Sequence, residues 1–158
     1  MSEIERKFVL EGGTELTRGV DGVPIRQGYL TAGEVMEVRL RAKGDRRFLT
    51  VKSGSGLVRE EREVELSSEQ FEALWPTTEG RRIEKTRYEI GLGELVVELD
   101  VYHGELAGLC TAELEFASEE EARSFDPPEW LGREVTEDDR YANRNLALRG
   151  RPQSSPGL

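Results

Sequence analysis

Nearly every strand-like segment of this chain carries charged residues at every second position, and many of the pairs share one sign. Glu3, Glu5 and Lys7 stand so in EIERKF, Arg39 and Arg41 in EVRLRA, Lys52 in LTVKSG, and Arg59, Glu61 and Glu63 in VREEREV. Further along come Lys85 and Arg87 in IEKTRY, Glu98 and Asp100 in VELDV, and Glu113 and Glu115 in AELEF. Successive side chains of a strand point to opposite faces, so each set shares a face. Like charges at neighbouring positions of one face repel unless opposite charge lies between them.

Two architectures accommodate such a face. In the first it is the solvated side of a twisted antiparallel sheet whose Val, Leu and Ile side packs on a core. In the second the sheet closes into a barrel with the charges inside. A charged interior costs several kcal/mol per ion unless it is wet and holds counter-charges. Cationic pairs call for a polyanion, and carboxylates without His or Cys call for hard divalent cations such as Mg²⁺ or Mn²⁺. A metal-chelated polyphosphate meets both demands.

Charged residues make up 34% of the chain, which would suggest disorder were they not interleaved with apolar residues at strand spacing. Its 158 residues suit one domain with a substantial core. The formal charge of −10 opposes nonspecific attraction to nucleic acid or an anionic membrane surface, so an anionic ligand must be caught locally. Cys110 stands alone and forms no intramolecular disulfide, no apolar run is long enough for a membrane span, and the acidic N-terminus does not read as a signal peptide. A cytoplasmic location is expected.

EIERKFVL reads as a first strand and IRQGYLT as a second, after a turn-rich stretch. VMEVRLRAKG and RRFLTVKSG form a hairpin about KGDR, and VREEREVEL follows as another alternating run. Ser67 and Gln70 form a capping box on a short helix closed by Pro76. GRRIEKTRYEIG, GELVVELDVYHG and LCTAELEFA read as three more strands. Ser118 caps a second helix stopped by Pro127 and Pro128, and Thr136 with Asp139 is expected to cap a last helix over DDRYANRNLAL. RGRPQSSPGL is expected to fray.

EIERK resembles the E-x-E-x-K signature of CYTH domains, the triphosphate tunnel metalloenzymes. RLR, TVKS, the R-x-E-x-E of REERE, EKTRY, ELD and ELE follow in that family's order, and REVTEDDRYANRNLA resembles the end of its small bacterial members. The resemblance covers residues 1–149, leaving 150–158 as a tail. It implies a mainly β (α+β) fold, a closed antiparallel β-barrel of about eight strands forming a charged tunnel, with short flanking helices and a C-terminal helix. Members include inorganic tripolyphosphatases, thiamine triphosphatases, class IV adenylate cyclases and RNA triphosphatases, and this short chain is most similar to the bacterial tripolyphosphatases.

By that resemblance, Lys7, Arg39, Arg41, Lys52, Lys85 and Arg87 match phosphate-binding cations, with forked Arg donors and compact Lys charges both suited to phosphate. Glu3, Glu5 and Glu115 match a first metal site for Mg²⁺ or Mn²⁺. Glu61, Glu63, Glu98, Asp100 and Glu113 match the remaining tunnel carboxylates, which hold a second metal or orient water. Lys52, Lys85 and Glu63 are the candidate catalytic residues, the lysines assisting the leaving phosphate. Arg59 either pairs with these acids or touches substrate. The implied reaction is metal-dependent hydrolysis of tripolyphosphate to pyrophosphate and phosphate by water, without a covalent intermediate, in a monomer or homodimer. The alternatives are hydrolysis of an organic triphosphate, class IV adenylate cyclase activity, and a polyphosphate-binding module without catalysis.

Other residues carry expectations of their own. The Tyr29 phenol either reaches substrate or packs at the rim. His103 reads as an exposed loop residue and Cys110 as a small buried side chain. Trp75 and Trp130 are expected to pin helices to the barrel. Arg140, Tyr141, Asn143 and Asn145 lie on the last helix, either solvated or serving as a lid over a tunnel mouth.

Overall fold

A computed structural model describes residues 4–11, 13–53 and 60–152. Glu3, Arg59 and the end of the expected tail lie outside the described residues. Among the described residues nine antiparallel strands form one sheet: β1 (Glu5–Val9), β2 (Val23–Ala32), β3 (Met36–Lys43), β4 (Arg46–Ser53), β5 (Glu60–Leu66), β6 (Arg82–Leu92), β7 (Leu95–Tyr102), β8 (Cys110–Glu115) and β9 (Arg133–Glu134). Their lateral order is β5-β4-β3-β2-β6-β7-β8-β1-β9. Two-residue turns at Gly44 and Gly93, both with positive φ, join β3 to β4 and β6 to β7. Such turns match the twist of the strands they connect.

The hydrogen-bonded order corrects the closed barrel expected from the sequence. Among the described residues β5 and β9 are the free edges, and no ladder joins them. The two-residue β9, absent from the sequence reading, occupies the site beside β1 that ring closure would need. The sheet still curls: side chains from β1 through β8 line a single cavity on its inner face.

Apolar packing lies largely outside this curl. Helix α1 (Ser68–Leu74) presents Phe71, with Trp75 stacked on it at 5.1 Å, to Leu40 and Ala42 of β3. Helix α2 (Glu119–Ser124) and a 3-10 turn at Glu129–Leu131 cover Phe8, Val97, Leu99 and Leu114 with Ala122 and Leu131. Trp130 packs half-buried against the same cluster. Outside β2 the backbone is pressed against a second 3-10 turn, Trp75–Thr78. A Cβ on Gly28 would stand 2.6 Å from Thr78 Cβ, so only glycine fits in RQGYL.

Caps fall where the sequence places them for two helices. Ser67 accepts from the Gln70 amide at 3.1 Å while Gln70 accepts from the Ser67 amide at 2.9 Å. Ser118 accepts from the Glu121 amide at 3.1 Å. The chain's end departs from the reading. Asp138 caps a 3-10 turn, Asp139–Tyr141, and α3 (Asn143–Arg149) starts after Ala142 without a side-chain cap. Thr136 is engaged elsewhere, accepting from the Lys7 amide at 3.0 Å and donating to Glu134 at 2.6 Å.

Leu146 of α3 packs with Tyr141, Ile83 and Tyr102. Ile83 shares a face with Lys85 and Arg87, and Tyr102 with Asp100, so α3 fills one end of the sheet's inner face. Among the described residues no helix is long and apolar enough to cross a membrane.

Candidate active site

The inner cavity holds about 510 Å³. Lys7, Arg39, Arg41, Lys52 and Arg87 line it together with Glu5, Glu37, Glu61, Glu63, Glu98, Glu113 and Glu115. Strand register sorts these charges into walls. Glu5 lies opposite Glu115 and Glu98 opposite Glu113, so β1, β7 and β8 build a carboxylate wall. Arg39 and Arg41 on β3 build a cationic wall, extended on β4 by Lys52, which stands between Glu37 and Glu61. Tyr29 faces the cavity beside Arg39, and Thr136, Ala142, Asn143 and Arg144 line it from the chain's end.

A buried ion cluster underlies this cavity. Arg87 grips Asp100 with two hydrogen bonds of 2.8 and 2.9 Å and reaches Glu98 at 3.0 Å. Lys85, its side chain wholly buried, lies 2.9 Å from Asp100 Oδ2 as an ion pair, although its ammonium lacks a well-aligned hydrogen bond. Burial works against the charge of Asp100, yet Lys85 and the Arg87 fork hold its carboxyl well below the usual range. The same burial, with repulsion from Arg87 and Arg41, outweighs the attraction of Asp100 and lowers Lys85 to about 8. One carboxylate serves two cations, and the bidentate Arg87 has the better share.

The Lys85 shift has a measurable sign. Between pH 8 and the ordinary lysine value of 10.5, the unfolded chain carries the proton and the folded chain does not. The stability cost of Lys85 is therefore fully present below pH 8 and fades as pH rises. Urea titrations should show the stability of the natural chain rising relative to Lys85→Met over this interval. A difference that stays flat or falls would contradict the assigned environment.

At the carboxylate wall, burial opposes ionisation of Glu113, but a hydrogen bond with Glu5 and the charges of Lys7 and Lys85 keep its carboxyl below the ordinary glutamate value. Lys7 Nζ is 3.4 Å from Glu113 and donates to the Tyr141 carbonyl at 2.5 Å, tying the wall to the chain's end. On the opposite side, Arg41 is lowered to about 10 by burial and by the charges of Arg39 and Arg87. Arg39 is buried, and its Nε has no hydrogen-bond partner among the described residues.

Of the residues expected from the sequence, Lys7, Tyr29, Arg39, Arg41, Lys52, Glu5, Glu61, Glu63, Arg87, Glu98, Glu113 and Glu115 all meet in the cavity. Lys85 and Asp100, expected to touch substrate and metal, instead form the buried pair beneath its wall. Glu37 was passed over, although it opens the E-x-R-x-R pattern of EVRLR and faces inward with Arg39 and Arg41. The neutral Gln27 and Thr50 were also missed, because a search for charge does not find them. His103 is exposed and its Nε2 hydrogen-bonds the Thr86 hydroxyl at 2.7 Å, while Cys110 is buried. The polar end of α3 borders the cavity: Asn143 accepts from the Tyr102 hydroxyl at 2.9 Å.

For a hard divalent cation the donor chemistry fits, since Glu5, Glu98, Glu113 and Glu115 offer oxygen ligands alone. The Glu5–Glu113 hydrogen bond brings two acids into the proximity that a shared cation would favour. Among the described residues, no three acids, His or Cys are gathered as a metal cage.

A curled antiparallel sheet with facing cationic and carboxylate walls defines the class, and residues 1–143 match the CYTH domain. The chain belongs to the CYTH family. It is 52% identical over 151 residues to the inorganic triphosphatase of Nitrosomonas europaea, a match covering 94% of this chain and 98% of that protein. The inorganic triphosphatase of Acetivibrio thermocellus is 40% identical over 146 residues, covering 91% and 92% respectively. A crystal structure of the inorganic triphosphatase NE1496 superimposes with a TM-score of 0.72 at 46% identity, covering 94% of this chain and 95% of that one.

Proposed function

We propose that this chain hydrolyses inorganic tripolyphosphate to pyrophosphate and phosphate in the inner cavity, with Mg²⁺ or Mn²⁺ as cofactor, and that the curled sheet works as a tunnel around the substrate. The observation that carries the reading is a single cavity lined by the cations Lys7, Arg39, Arg41, Lys52 and Arg87 together with the carboxylates Glu5, Glu98, Glu113 and Glu115. Inorganic triphosphatase is also the name borne by the relatives at 52% and 40% identity.

Arg39, Arg41 and Lys52 bind the phosphate oxygens, and the Arg87 fork, fixed on Asp100, holds its face toward the cavity. Glu5, Glu98, Glu113 and Glu115 would hold the metal, which when bound neutralises phosphate charge and polarises the phosphoryl group. Glu63 accepts from the Thr50 hydroxyl at 3.1 Å through one oxygen, and its other oxygen orients the attacking water. As the water oxygen bonds to the terminal phosphorus, the bridging P–O bond breaks and its electron pair leaves with pyrophosphate. Glu63 takes the water proton, and Lys52 donates a hydrogen bond to the departing anion. Charge on the transferred phosphoryl group is met by cations already in position.

The decisive assay is phosphate release from tripolyphosphate, with Mg²⁺, with Mn²⁺ and with chelator, for the natural chain and Glu5→Gln. Turnover should require metal and fall at least about 100-fold in Glu5→Gln. ATP and thiamine triphosphate run in parallel; a large preference for either would replace the inorganic substrate with an organic one. Tight tripolyphosphate binding without turnover in either metal would leave a binding module.

A further inference from the structure

We propose that Gln27 is a positioning residue of the cavity: its amide bridges Arg41 and Tyr29 and sets the Tyr29 hydroxyl as a hydrogen-bond donor toward the bound phosphate chain. This rests on the triphosphate reading above and adds a residue carrying no charge.

Gln27 is fully buried on the inner face of β2, directly opposite Arg41 on β3 and two residues before Tyr29 on the same face. Arg41 Nε can only donate, so the oxygen 3.0 Å from it must be the Gln27 carbonyl oxygen. That contact fixes which way the amide points. Its NH₂ group is then turned to the Tyr29 phenol oxygen, 3.2 Å away. An amide NH₂ can only donate, so the phenol oxygen must accept, and its own proton is directed elsewhere. Tyr29 lines the cavity, and among the described residues its proton meets no hydrogen-bond acceptor. Burial keeps the phenol protonated by raising its pKa, so the proton remains to be given.

The polarity runs one way along the whole chain of groups. Arg41 fixes the amide, the amide and the Arg39 guanidinium both make the phenol oxygen an acceptor, and the phenol offers its hydrogen to the cavity, where a phosphate oxygen accepts. A buried glutamine left unpaired would be costly, and here both ends of its amide are engaged. The bridge also holds the Arg41 guanidinium by Nε, which leaves the remaining N–H groups of its fork for the ligand.

The test measures the effect of Tyr29→Phe in three backgrounds: the natural chain, Gln27→Glu and Gln27→Met. In the nearly isosteric Gln27→Glu, a carboxylate replaces the NH₂ group and draws the phenol proton to itself. Gln27→Met removes the bridge without adding charge. Tyr29→Phe should lower kcat/KM for tripolyphosphate on the order of tenfold in the natural chain and less than about twofold in either variant background. Comparison within each background cancels the electrostatic effect of the new carboxylate. Equal losses in all three backgrounds would overturn the proposal, since a merely structural Gln27 leaves the Tyr29 contribution intact. Thermal unfolding of each variant confirms that folded proteins are compared, and either Gln27 variant alone suffices if the other does not fold. Should the natural chain release no phosphate, that failure belongs to the proposed reaction. The same cycle, read from tripolyphosphate affinity by calorimetry, then decides the role of Gln27 by the same criterion.

Discussion

Replacing Asp100 by asparagine lowers the free energy of unfolding by about 3–5 kcal/mol, the largest stability effect expected of a single side chain here. The reason lies in what stays behind. Lys85 and Arg87 both pair with this carboxylate, and the amide leaves the wholly buried Lys85 without a counter-charge and Arg87 with Glu98 alone. Lys85→Met should cost much less, because Asp100 keeps the Arg87 fork and the methionine is apolar. Urea unfolding of the three proteins measures both values. Because Asp100 is depressed from its ordinary 3.8, its stabilisation is complete above that value and is lost as pH falls. The gap between the natural chain and Asp100→Asn should therefore narrow in acid. A loss below about 1 kcal/mol at neutral pH would show that water reaches the cluster.

Arg39→Ala should lower kcat/KM for tripolyphosphate on the order of 100- to 1,000-fold, with little loss of stability. Arg39 lines the cavity with no ion pair among the described residues, and its interaction within the fold is with the neutral Tyr29 phenol. A donor pre-aimed at phosphoryl charge in a confined site typically contributes this much to the rate. Arg39→Lys should recover little, because a point charge cannot reproduce a planar fork. The contrast with Asp100→Asn is the sharper check. One variant should fold well and turn over poorly, while the other should first lose stability. Near-natural turnover in Arg39→Ala would remove β3 from the proposed substrate contacts.

Alternation at every second residue made the strands and their charged face legible in the sequence, because period two is a property of the strand itself. It says which face a residue takes and not how deep within the curled sheet it lies. Lys85 and Arg87 are therefore indistinguishable in IEKTRY, yet one is sealed beneath the wall and the other lines the cavity. Depth depends on register with β2 and β7, which no local pattern records. Glu37 was within reach of the same alternation, whereas Gln27 was not, since nothing local marks a neutral side chain that joins two charged neighbours. The helix over DDRYANRNLAL was misjudged because Thr136 is drawn to the Lys7 amide of the distant β1 and to Glu134 two residues before it, leaving Asp138 to start a separate turn. Closure of the sheet was likewise beyond local pattern, being decided by whether two edges far apart in sequence meet.

Among the described residues no ladder closes the seam between β5 and β9, which bears on how the sheet can flex. A ring of strands has a circumference fixed by its ladders, and widening it means breaking hydrogen bonds. An open sheet changes its bore by coiling more or less tightly, with every interstrand bond intact. The three apolar clusters sit between the sheet and separate helices, so they ride with their own strands as the curvature changes. The width of the cavity between the two charged walls is then set by sheet curvature rather than by a closed ring of ladders.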